Sequence, residues 1–396
     1  MSKFLEIFKQ RGFFHQCTDE VALGELGNIT AYIGFDCTAD SLHVGSLMQI
    51  MVLRLLKQTG NKPIILLGGA TTKVGDPSGK DESRPVITEA EIQRNKQGIK
   101  KVFDKFGLGD CLFVDNSEWL DNISYLEFLS KYGKLISVNN MIAKDSVKQR
   151  LERQAHLSFL EFNYMIFQAY DFVELNRKYN CNTQIGGSDQ WGNITAGIEL
   201  GRKLGSDKNL FGLTTPLITT SSGAKMGKTA DGAIWLDAEK LSPYDYYQFW
   251  RNTEDADVIR FLKFFTELPI EKIAELEKLQ GQEINEAKKI LAYEATKLCH
   301  GEPAAEAAQD AAITAFEQGG TEGLPEVEIA ETELPAFALF KEAGLAESGG
   351  EARRLIKGGG AKIDDAKVED ENQVIKLNDG MKLSSGKKKH IIVRLK

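Results

Sequence analysis

The sequence predicts an α/β protein in which a parallel sheet is followed by two smaller domains. Two strand-like runs, residues 29–36 and 64–67, each end at a turn, and helical patterns follow at residues 47–57 and 194–204. A glycine-rich stretch also precedes the last of these helices. Because ligands bind beyond the carboxyl ends of the strands in such sheets, we expect the functional residues to lie in these turns.

The turn after the first strand is suited to binding an anion. Residues 37–41 connect the strand to a helix, and Asp40 or Ser41 is expected to cap that helix. Its free N–H groups and the positive end of its dipole would then face an anion. His43 and the small Gly45 lie in the first turn, where a phosphate chain could approach closely. Taken alone, His43 also fits a capping or surface residue, and Gly45 a packing position.

A second element, far along the chain, carries two lysines. Lys225 and Lys228 lie in a glycine-punctuated stretch, residues 221–232, that is typical of a loop. Such a loop could close over a leaving pyrophosphate, since lysine is a flexible point charge. A solvated surface loop has the same composition. Together, the two elements suggest a clamp that closes on ATP.

Further glycine-rich turns occur at residues 68–72, 75–80 and 186–193. Their spacing matches neither the Gly-x-Gly-x-x-Gly dinucleotide fingerprint nor the Walker P-loop. A dehydrogenase and a P-loop ATPase are therefore disfavoured.

Five blocks of the chain, in this order, resemble class I aminoacyl-tRNA synthetases, and among them the bacterial and organellar tyrosyl-tRNA synthetases. The blocks are residues 32–46 with the HIGH-type motif His43-Val44-Gly45-Ser46, residues 75–80, 164–171 and 186–193, and the KMSKS-type motif Lys225-Met226-Gly227-Lys228-Thr229. The resemblance covers nearly the whole chain. It implies a Rossmann-like parallel sheet with a helical insertion, then a helical domain and a small α+β RNA-binding domain.

The resemblance implies a site for tyrosine. Tyr32 and Asp171 would hydrogen-bond the phenolic hydroxyl, while Tyr164, Gln168 and Asp76 would hold the ammonium group, with Gln190 near the carboxylate. Phenylalanine would leave a buried donor and acceptor unsatisfied, which is costly. The spacing of Tyr164, Gln168 and Asp171 places them on one helix face, which also fits a solvated polar stripe. The apolar residues 165–167 between them indicate that this helix is largely buried.

The resemblance also implies a site for ATP. Gly34, Asp36 and Thr38 would lie near the α-phosphate and ribose, and His43 and Gly45 near the phosphates. The ribose and the tyrosine carboxylate would be contacted by Gly187, Asp189 and Gln190. The mobile clamp on the β- and γ-phosphates would consist of Lys225, Lys228 and Thr229, joined by Lys80 and Arg84. The charged cluster around Lys80 and Arg84 also fits a plain solvated surface. Mg²⁺ is expected to accompany ATP, and no metal tightly bound by the protein is expected.

The implied reaction is in-line attack by the tyrosine carboxylate on the α-phosphorus of ATP. It gives tyrosyl-adenylate and pyrophosphate, and the tyrosyl group then passes to the 3′-terminal adenosine of tRNA(Tyr). Positioning and electrostatic stabilisation would supply the catalysis, without a protein nucleophile.

Two residues depart from the family pattern. Ser46 stands where the HIGH motif commonly ends in a second histidine, and it can donate a hydrogen bond but cannot carry charge. Cys37 stands where proline is common, and it is expected to pack as a small apolar residue.

Two alternatives to this interpretation remain open at the level of the sequence. A tryptophanyl or other related class I enzyme is one, and the pairing of Tyr32 with Asp171 argues against it. The other is a non-catalytic RNA-binding protein on a decayed synthetase fold, an idea that rests on Ser46. The presence of His43, Asp76 and both lysines of the second element argues against decay.

Length and composition fit this interpretation. A chain of 396 residues can form two or three domains with substantial cores. No apolar run is long enough to span a membrane, and residues 1–6 lack a signal-peptide core, so we expect a cytoplasmic protein. The five cysteines are odd in number and include no Cys-x-x-Cys pair, which indicates free thiols and argues against structural zinc.

Charge is unevenly distributed along a chain whose net charge is -8. Residues 334–396 contain thirteen Lys plus Arg against nine Asp plus Glu, whereas residues 301–333 contain nine acidic residues and no Lys or Arg. Residues 348–363 resemble a small RNA-binding module shared with a ribosomal small-subunit protein. Arg353, Arg354 and Lys357 would present positive charge to the RNA backbone, although a solvated basic helix has the same pattern.

The predicted domain organisation follows from these observations. Residues 1–220 form the catalytic domain, with a helical insertion at about 104–182, and residues 221–318 contain the mobile loop and a helical domain. An acidic linker, residues 319–333, leads to the small basic domain at 334–396. The resemblance implies that the insertion makes a homodimer contact and that the helical domain helps to recognise the anticodon side of the tRNA.

Overall fold

The computed structural model divides the chain into two units. The first contains Met1–Met226 and Arg260–Ala274, and the second contains Gly227–Ile259 and Glu275–Lys396. The structure describes residues 2–78, 87–206, 209–223, 226–229, 232–314, 324–386 and 389–396, without the side chains of Ser146, Lys228 and Thr229. The segment Arg260–Ala274, which the sequence assigns to the helical domain, therefore groups with the catalytic unit.

A six-stranded sheet forms the centre of the first unit. Its strands are β1 (Gln16–Cys17), β2 (Thr30–Asp36), β3 (Lys62–Gly68), β4 (Leu112–Asp115), β5 (Thr183–Gly187) and β6 (Phe211–Thr215), in the spatial order β1-β6-β5-β2-β3-β4. All neighbours pair in parallel except β1 and β6. The predicted parallel sheet is therefore confirmed.

The chain direction across the sheet reverses between β2 and β5, which is where ligands bind in such folds. From β2 the chain proceeds to β3 and β4 on one side, and β5 and β6 extend the sheet on the other. Strands β2 and β5 pair at Ala31 with Thr183 and at Tyr32 with Gln184, whereas β2 pairs with β3 along its whole length. The carboxyl ends of β2 and β5 thus flank a crevice.

Helices cover this sheet. They are α1 (Lys3–Gln10), α2 (Glu20–Glu25), α3 (Leu47–Gln58), α4 (Glu89–Lys105), α5 (Ser117–Leu120), α6 (Tyr125–Lys131), α7 (Val138–Ile142), α8 (Asp145–Glu152), α9 (Phe159–Tyr179) and α10 (Trp191–Lys203). The predicted insertion at 104–182 begins too early, because β4 is a strand of the main sheet and the inserted helices start at α5. A strand of four residues gives too short an apolar run to stand out.

The helix α9 is the longest of the insertion and packs against α10. Ser158 and Glu161 form a capping box at its start, and Asn180 ends it in the left-handed conformation. Tyr32 of the sheet and Phe172 of α9 lie in one buried cluster. This packing fixes the polar side chains of α9 against the carboxyl end of β2.

The second unit contains a helical part and a small α+β part. Its elements are β7 (Lys228–Thr229), β8 (Gly232–Ala233), α11 (Pro243–Arg251), α14 (Ile284–His300), α15 (Glu302–Ile313), β9 (Glu326–Ile329), β10 (Glu333–Pro335), α16 (Ala336–Glu342), α17 (Gly349–Lys357), β11 (Ala361–Ile363), β12 (Ala366–Lys367), β13 (Val374–Lys376), β14 (Lys382–Ser385) and β15 (Lys389–Leu395), while α12 (Val258–Phe265) and α13 (Ile270–Leu276) cross the boundaries between the units. Helix α11 packs against α14 and α15.

The predicted acidic linker is partly structured. Within its second half, β9 pairs in parallel with β15 and so joins the sheet β12-β11-β14-β15-β9 of the small part. The rest of the predicted linker includes residues 319–323, which lie outside the described residues. Among the described helices, none is long and apolar enough to cross a membrane.

Candidate active site

A cavity of about 400 Å³ lies at the crevice between β2 and β5. It is lined by most of the residues that the sequence assigns to tyrosine and ATP: Tyr32, Gly34, Asp36, Thr38, His43, Gly45, Asp76, Tyr164, Gln168, Gly187, Asp189 and Gln190. These residues come from four separate stretches of the chain. The fold thus brings these twelve predicted residues together at the topological switch point.

The predicted hydroxyl-binding pair is buried at one end of the cavity, here called the dry end. Tyr32 and Asn116 line the cavity there, and Asp171 contacts Asn116 from behind the lining. Tyr32 and Asp171 are each 1% exposed. The Oη atom of Tyr32 is buried and has no hydrogen-bond partner among the described residues. Burial, and secondly the charge of Asp171, raise the pKa of Tyr32 well above its usual value, so its hydroxyl stays protonated and can donate.

Two side chains that sequence reasoning missed hold Asp171. Its carboxylate accepts hydrogen bonds from Asn116 Nδ2 at 3.0 Å and from Trp119 Nε1 at 2.8 Å. Burial raises the pKa of Asp171 to about 7, while these two donors act in the opposite direction. Asn116 comes directly after β4, and a polar residue at the end of a strand would have been the signal for it, had β4 been recognised.

Gln184 is a third residue that the sequence analysis did not assign. It is 2% exposed, lines the cavity and stands beside Tyr32 across the two strands. Its Oε1 is buried without a hydrogen-bond partner among the described residues. The dry end therefore contains two buried polar atoms, on Tyr32 and Gln184, that a ligand could satisfy.

The opposite end of the cavity is polar and internally linked. Gln190 Nε2 donates to Asp76 Oδ2 at 2.8 Å, and Gln168 Nε2 lies 3.4 Å from Gln190 Oε1. Asn193 Nδ2 donates to both Gln168 Oε1 and Gln190 Oε1, at 3.0 and 3.1 Å. The amides thus orient one another around the Asp76 carboxylate, and Asn193 is a further residue that the sequence analysis did not assign.

Tyr164 contacts a second carboxylate of the cavity, that of Asp36. Its hydroxyl lies 3.3 and 3.2 Å from the two carboxylate oxygens of Asp36, and Thr71 Oγ1 also donates to Asp36 at 3.0 Å. Asn116 Nδ2 donates to Thr71 Oγ1 at 3.0 Å. A chain of hydrogen bonds therefore runs from Tyr164 through Asp36 and Thr71 to Asn116, and so connects the polar end to Asp171.

The HIGH-type motif is held by its own histidine. His43 is the N-cap of a short 3-10 helix, Val44–Ser46, and its Nδ1 accepts a hydrogen bond from the Gly45 N–H at 2.9 Å. The predicted capping by Asp40 or Ser41 is therefore wrong, because the 3-10 turn intervenes before α3 begins. Since Nδ1 accepts, the neutral ring carries its proton on Nε2. A Cβ atom at position 45 would lie 2.5 Å from the imidazole, which explains the glycine.

The two departures from the family pattern have distinct environments. Ser46 lines the cavity and is the N-cap of α3 without a side-chain capping bond. Cys37 is fully buried, and burial raises the pKa of its thiol to about 12. The Cys37 thiol therefore stays protonated and unreactive at neutral pH.

Several predicted residues cannot be placed in this site. Lys80, Arg84 and Lys225 lie outside the described residues, as do the side chains of Lys228 and Thr229. Their roles in a clamp on ATP stay predictions. Among the described residues, no three His, Cys, Asp or Glu side chains group in a way that could hold a metal ion.

The predicted RNA-binding residues lie on α17 of the small part. Lys357 Nζ is 3.1 Å and Arg353 Nε 3.9 Å from the same oxygen of Glu371. The Arg353 guanidinium also lies over the Phe337 ring, 3.7 Å from its centroid. Arg354 is exposed. Helix α17 thus presents a fixed basic group whose charge is partly balanced by one acid.

Comparison with known proteins identifies the family. The model of the family described as tRNA synthetases class I (W and Y) matches residues 25–317. The tyrosine–tRNA ligase of Rickettsia conorii is 56% identical over 99% of this chain and 100% of its own length, and that of Beijerinckia indica is 58% identical over 100% and 97%. A C-terminally truncated mitochondrial tyrosyl-tRNA synthetase of Aspergillus nidulans superposes with a TM-score of 0.71 at 32% identity, covering 80% of this chain and 95% of that one. The chain therefore belongs to the tyrosine–tRNA ligases of the class I aminoacyl-tRNA synthetases.

Proposed function

We propose that the cavity between β2 and β5 is where this ligase converts tyrosine and ATP to tyrosyl-adenylate. The observation that supports this proposal most directly is that the cavity has two chemically different ends. The dry end has the buried Tyr32 side chain in its lining and the Asp171 carboxylate directly behind Asn116, and the other end has the carboxylates of Asp36 and Asp76 in its lining. A tyrosine molecule has the matching polarity, with a phenol at one end and an ammonium group at the other.

At the dry end, Tyr32 donates to the phenolic oxygen and Asp171 accepts the phenolic hydrogen. The two donors on Asp171 hold its carboxylate in place, so the acceptor does not need to reorganise when tyrosine binds. A phenylalanine ring would leave the Tyr32 hydroxyl buried and unpaired, which costs about 1–3 kcal/mol. Tryptophan offers an indole N–H but no hydroxyl oxygen for Tyr32.

At the polar end, Asp76 and Gln168 receive the ammonium group, and Gln190 turns toward the tyrosine carboxylate. Tyr164 acts here through Asp36, since its hydroxyl already contacts that carboxylate. Two carboxylates at this end favour a cation electrostatically. Binding both ends of tyrosine fixes the direction in which its carboxylate points.

ATP is the second substrate, and we propose that it enters as the Mg²⁺ complex on the side of the HIGH-type motif. His43 Nε2 donates to the phosphates, Gly34, Thr38 and Gly45 leave room for the nucleotide, and Gly187 and Asp189 contact the ribose. One tyrosine carboxylate oxygen attacks the α-phosphorus, the bond to the bridging oxygen breaks, and pyrophosphate leaves. The tyrosyl group then passes to the 3′-terminal adenosine of tRNA(Tyr), which releases AMP.

We also propose that α17 binds the RNA backbone through Arg353, Arg354 and Lys357. A phosphate that approaches Lys357 competes with Glu371 for its ammonium group. Because the attraction between these side chains and the phosphates is electrostatic, RNA binding is expected to weaken as the salt concentration rises. Replacing all three residues by alanine should leave adenylate formation unchanged and lower tRNA charging about 10-fold. The variant Lys396→Ala is a control for loss of one positive charge elsewhere in the small part.

A second copy of the chain is the proposed partner of the insertion. Helices α6 to α9 expose several large apolar side chains, among them Leu126 at 77% and Phe159 at 68%. Exposed apolar groups of this kind mark interaction surfaces. Sedimentation of the variants Leu126→Asp and Phe159→Asp should show monomers where the unchanged protein forms a homodimer.

The location of the protein in the cytoplasm remains a prediction.

The experiment that tests the proposal is exchange of labelled pyrophosphate into ATP without tRNA. Exchange that requires tyrosine and is not supported by phenylalanine or tryptophan is the expected result. No exchange with any amino acid, from protein shown to be folded, would contradict the proposal and revive the decayed, RNA-binding alternative. None of the comparisons favours that alternative.

A further inference from the structure

The turn between β2 and the HIGH-type motif is fixed at the backbone of one residue, Cys37, through the two peptide groups that flank its Cα. The Cys37 N–H donates to Thr72 Oγ1 at 2.7 Å, and the Cys37 carbonyl accepts from Asn95 Nδ2 at 2.8 Å. Thr72 Oγ1 in turn donates to the Gly68 carbonyl at 2.5 Å. Both polar groups of this residue are therefore satisfied by side chains from other elements, Thr72 following β3 and Asn95 lying in α4.

All three residues are buried. Cys37 is 0%, Thr72 4% and Asn95 7% exposed. Water therefore cannot replace either hydrogen bond, and loss of one partner would leave a buried backbone group unpaired. The arrangement depends on residue 37 having an N–H, because a proline in this position would have no donor for Thr72.

The same turn is held tightly at a second point. Helix α4 passes so close to it that a Cβ atom on Gly98 would overlap the Asp40 carbonyl oxygen. Beside the fixed peptide, Thr71 Oγ1 donates to Asp36 at 3.0 Å. The immediate neighbours of Cys37, Asp36 and Thr38, both line the cavity. Fixing the peptide groups on both sides of Cys37, one shared with Asp36 and one with Thr38, therefore fixes where these two side chains start.

We propose that Thr72 and Asn95 are positioning residues for adenylate formation, which clamp the backbone on both sides of Cys37 and thereby hold Asp36 and Thr38 in place for ATP. This inference rests on the proposed function of the cavity. Neither side chain lines the cavity or touches substrate in this scheme, so both act through the turn. Small misplacements of groups around a reacting centre lower reaction rates strongly. Loss of the clamp should therefore slow adenylate formation.

A double-mutant cycle between positions 72 and 37 tests the clamp. Thr72→Val keeps the shape but leaves the Cys37 N–H without an acceptor, so tyrosine-dependent pyrophosphate exchange should fall about 10-fold, chiefly through kcat/KM for ATP. Cys37→Pro removes the donor itself and so breaks the same hydrogen bond, and exchange should fall about as far as in Thr72→Val. In the Cys37→Pro background, Thr72→Val should then cost less than about threefold.

Two further measurements sharpen the cycle. Thr72→Ser keeps the hydroxyl and should retain most of the activity, and this variant remains informative if Thr72→Val folds poorly. The tyrosine-induced rise in melting temperature should be nearly the same in all variants, because Tyr32 and Asp171 do not touch the clamp. Parallel loss of tyrosine binding and exchange would indicate a merely structural role.

The outcomes separate the clamp from the function on which it rests. If Thr72→Val causes the same loss with and without the Cys37→Pro substitution, or no loss in either case, the clamp is overturned while the proposed function stays intact. Absence of tyrosine-dependent exchange in the unchanged protein would overturn the proposed function itself, and the clamp would fall with it.

Discussion

The two ends of the cavity differ in how deeply their polar groups are buried, and so in how costly an unpaired polar group is there. At the dry end, few polar atoms are present, each is buried, and Asp171 is held by two fixed donors. At the polar end, Asp76 belongs to a linked set of amides that includes Gln190 and is only partly buried. An unpaired group is costly where water is absent and cheap where water can enter. The dry end should therefore determine which amino acid is accepted, and the polar end how tightly it binds.

The largest expected effect tests the dry end. Asp171→Asn replaces an acceptor of two N–H bonds by an amide that must turn its own NH₂ toward one of them. Hydrogen bonds to charged groups contribute about 1.5–3 kcal/mol, so kcat/KM for tyrosine should fall about 10- to 100-fold. The value for phenylalanine should change much less. Glu174→Gln, on the same helix, is the control. If Asp171→Asn lowered kcat/KM equally for tyrosine and for phenylalanine, the dry end would not determine which amino acid is accepted.

A smaller effect is expected at the polar end. Asp76→Asn removes a charge that is partly exposed to water, so tyrosine should bind about 10-fold more weakly. The ligand 3-(4-hydroxyphenyl)propionate lacks the ammonium group, and its affinity should stay within about twofold. Calorimetric titration of both ligands measures the difference. A similar loss for both ligands would show that Asp76 does not meet the ammonium group.

Tyr32→Phe should have a still smaller effect on catalysis. It removes a neutral donor worth about 0.5–1.5 kcal/mol, and kcat/KM for tyrosine should fall about threefold to 10-fold. The ligand-free protein should melt no lower than the unchanged one, because the hydroxyl that is lost is buried without a partner among the described residues. A clear drop in melting temperature would mean that this hydroxyl is satisfied in solution without ligand.

The smallest expected effect is a dependence on pH that belongs to Asp171. Burial raises its pKa to about 7 from a value near 4 in the unfolded chain, so the folded protein holds an extra proton between these values. Its contribution to the free energy of unfolding is therefore present below about pH 4 and is lost as the pH rises through about 7. Asp171→Asn should gain stability relative to the unchanged protein as the pH rises from about 5.5 to about 8.

Tyrosine binding should follow the opposite trend. The ionised carboxylate is the better acceptor for the phenolic hydrogen, so the tyrosine-induced rise in melting temperature should grow from about pH 6 to about pH 8. Phenylalanine, which lacks the hydroxyl, should show no such trend. Parallel pH profiles for the two ligands would contradict the assignment of Asp171.

Sequence patterns were most successful for elements that are local. The strand ending at Asp36, the helix starting at Leu47 and the basic helix with Arg353 all lie where periodicity and turn residues predict them. The prediction failed at β4 and at the cap of the HIGH-type motif. A four-residue strand such as β4 carries little periodic signal. The cap at His43 depends on a 3-10 turn that no pattern in the sequence predicts.

By itself, the sequence determined the family, the parallel sheet and twelve of the residues that line the cavity, because motifs and apolar runs are properties of short stretches of chain. Only the tertiary structure decided the partners of those residues. Asn116 and Trp119 reach Asp171 from 55 and 52 positions away, Tyr164 contacts Asp36, and Thr72 accepts a hydrogen bond from the Cys37 N–H. Such pairings depend on how strands and helices pack in three dimensions, which no local pattern encodes.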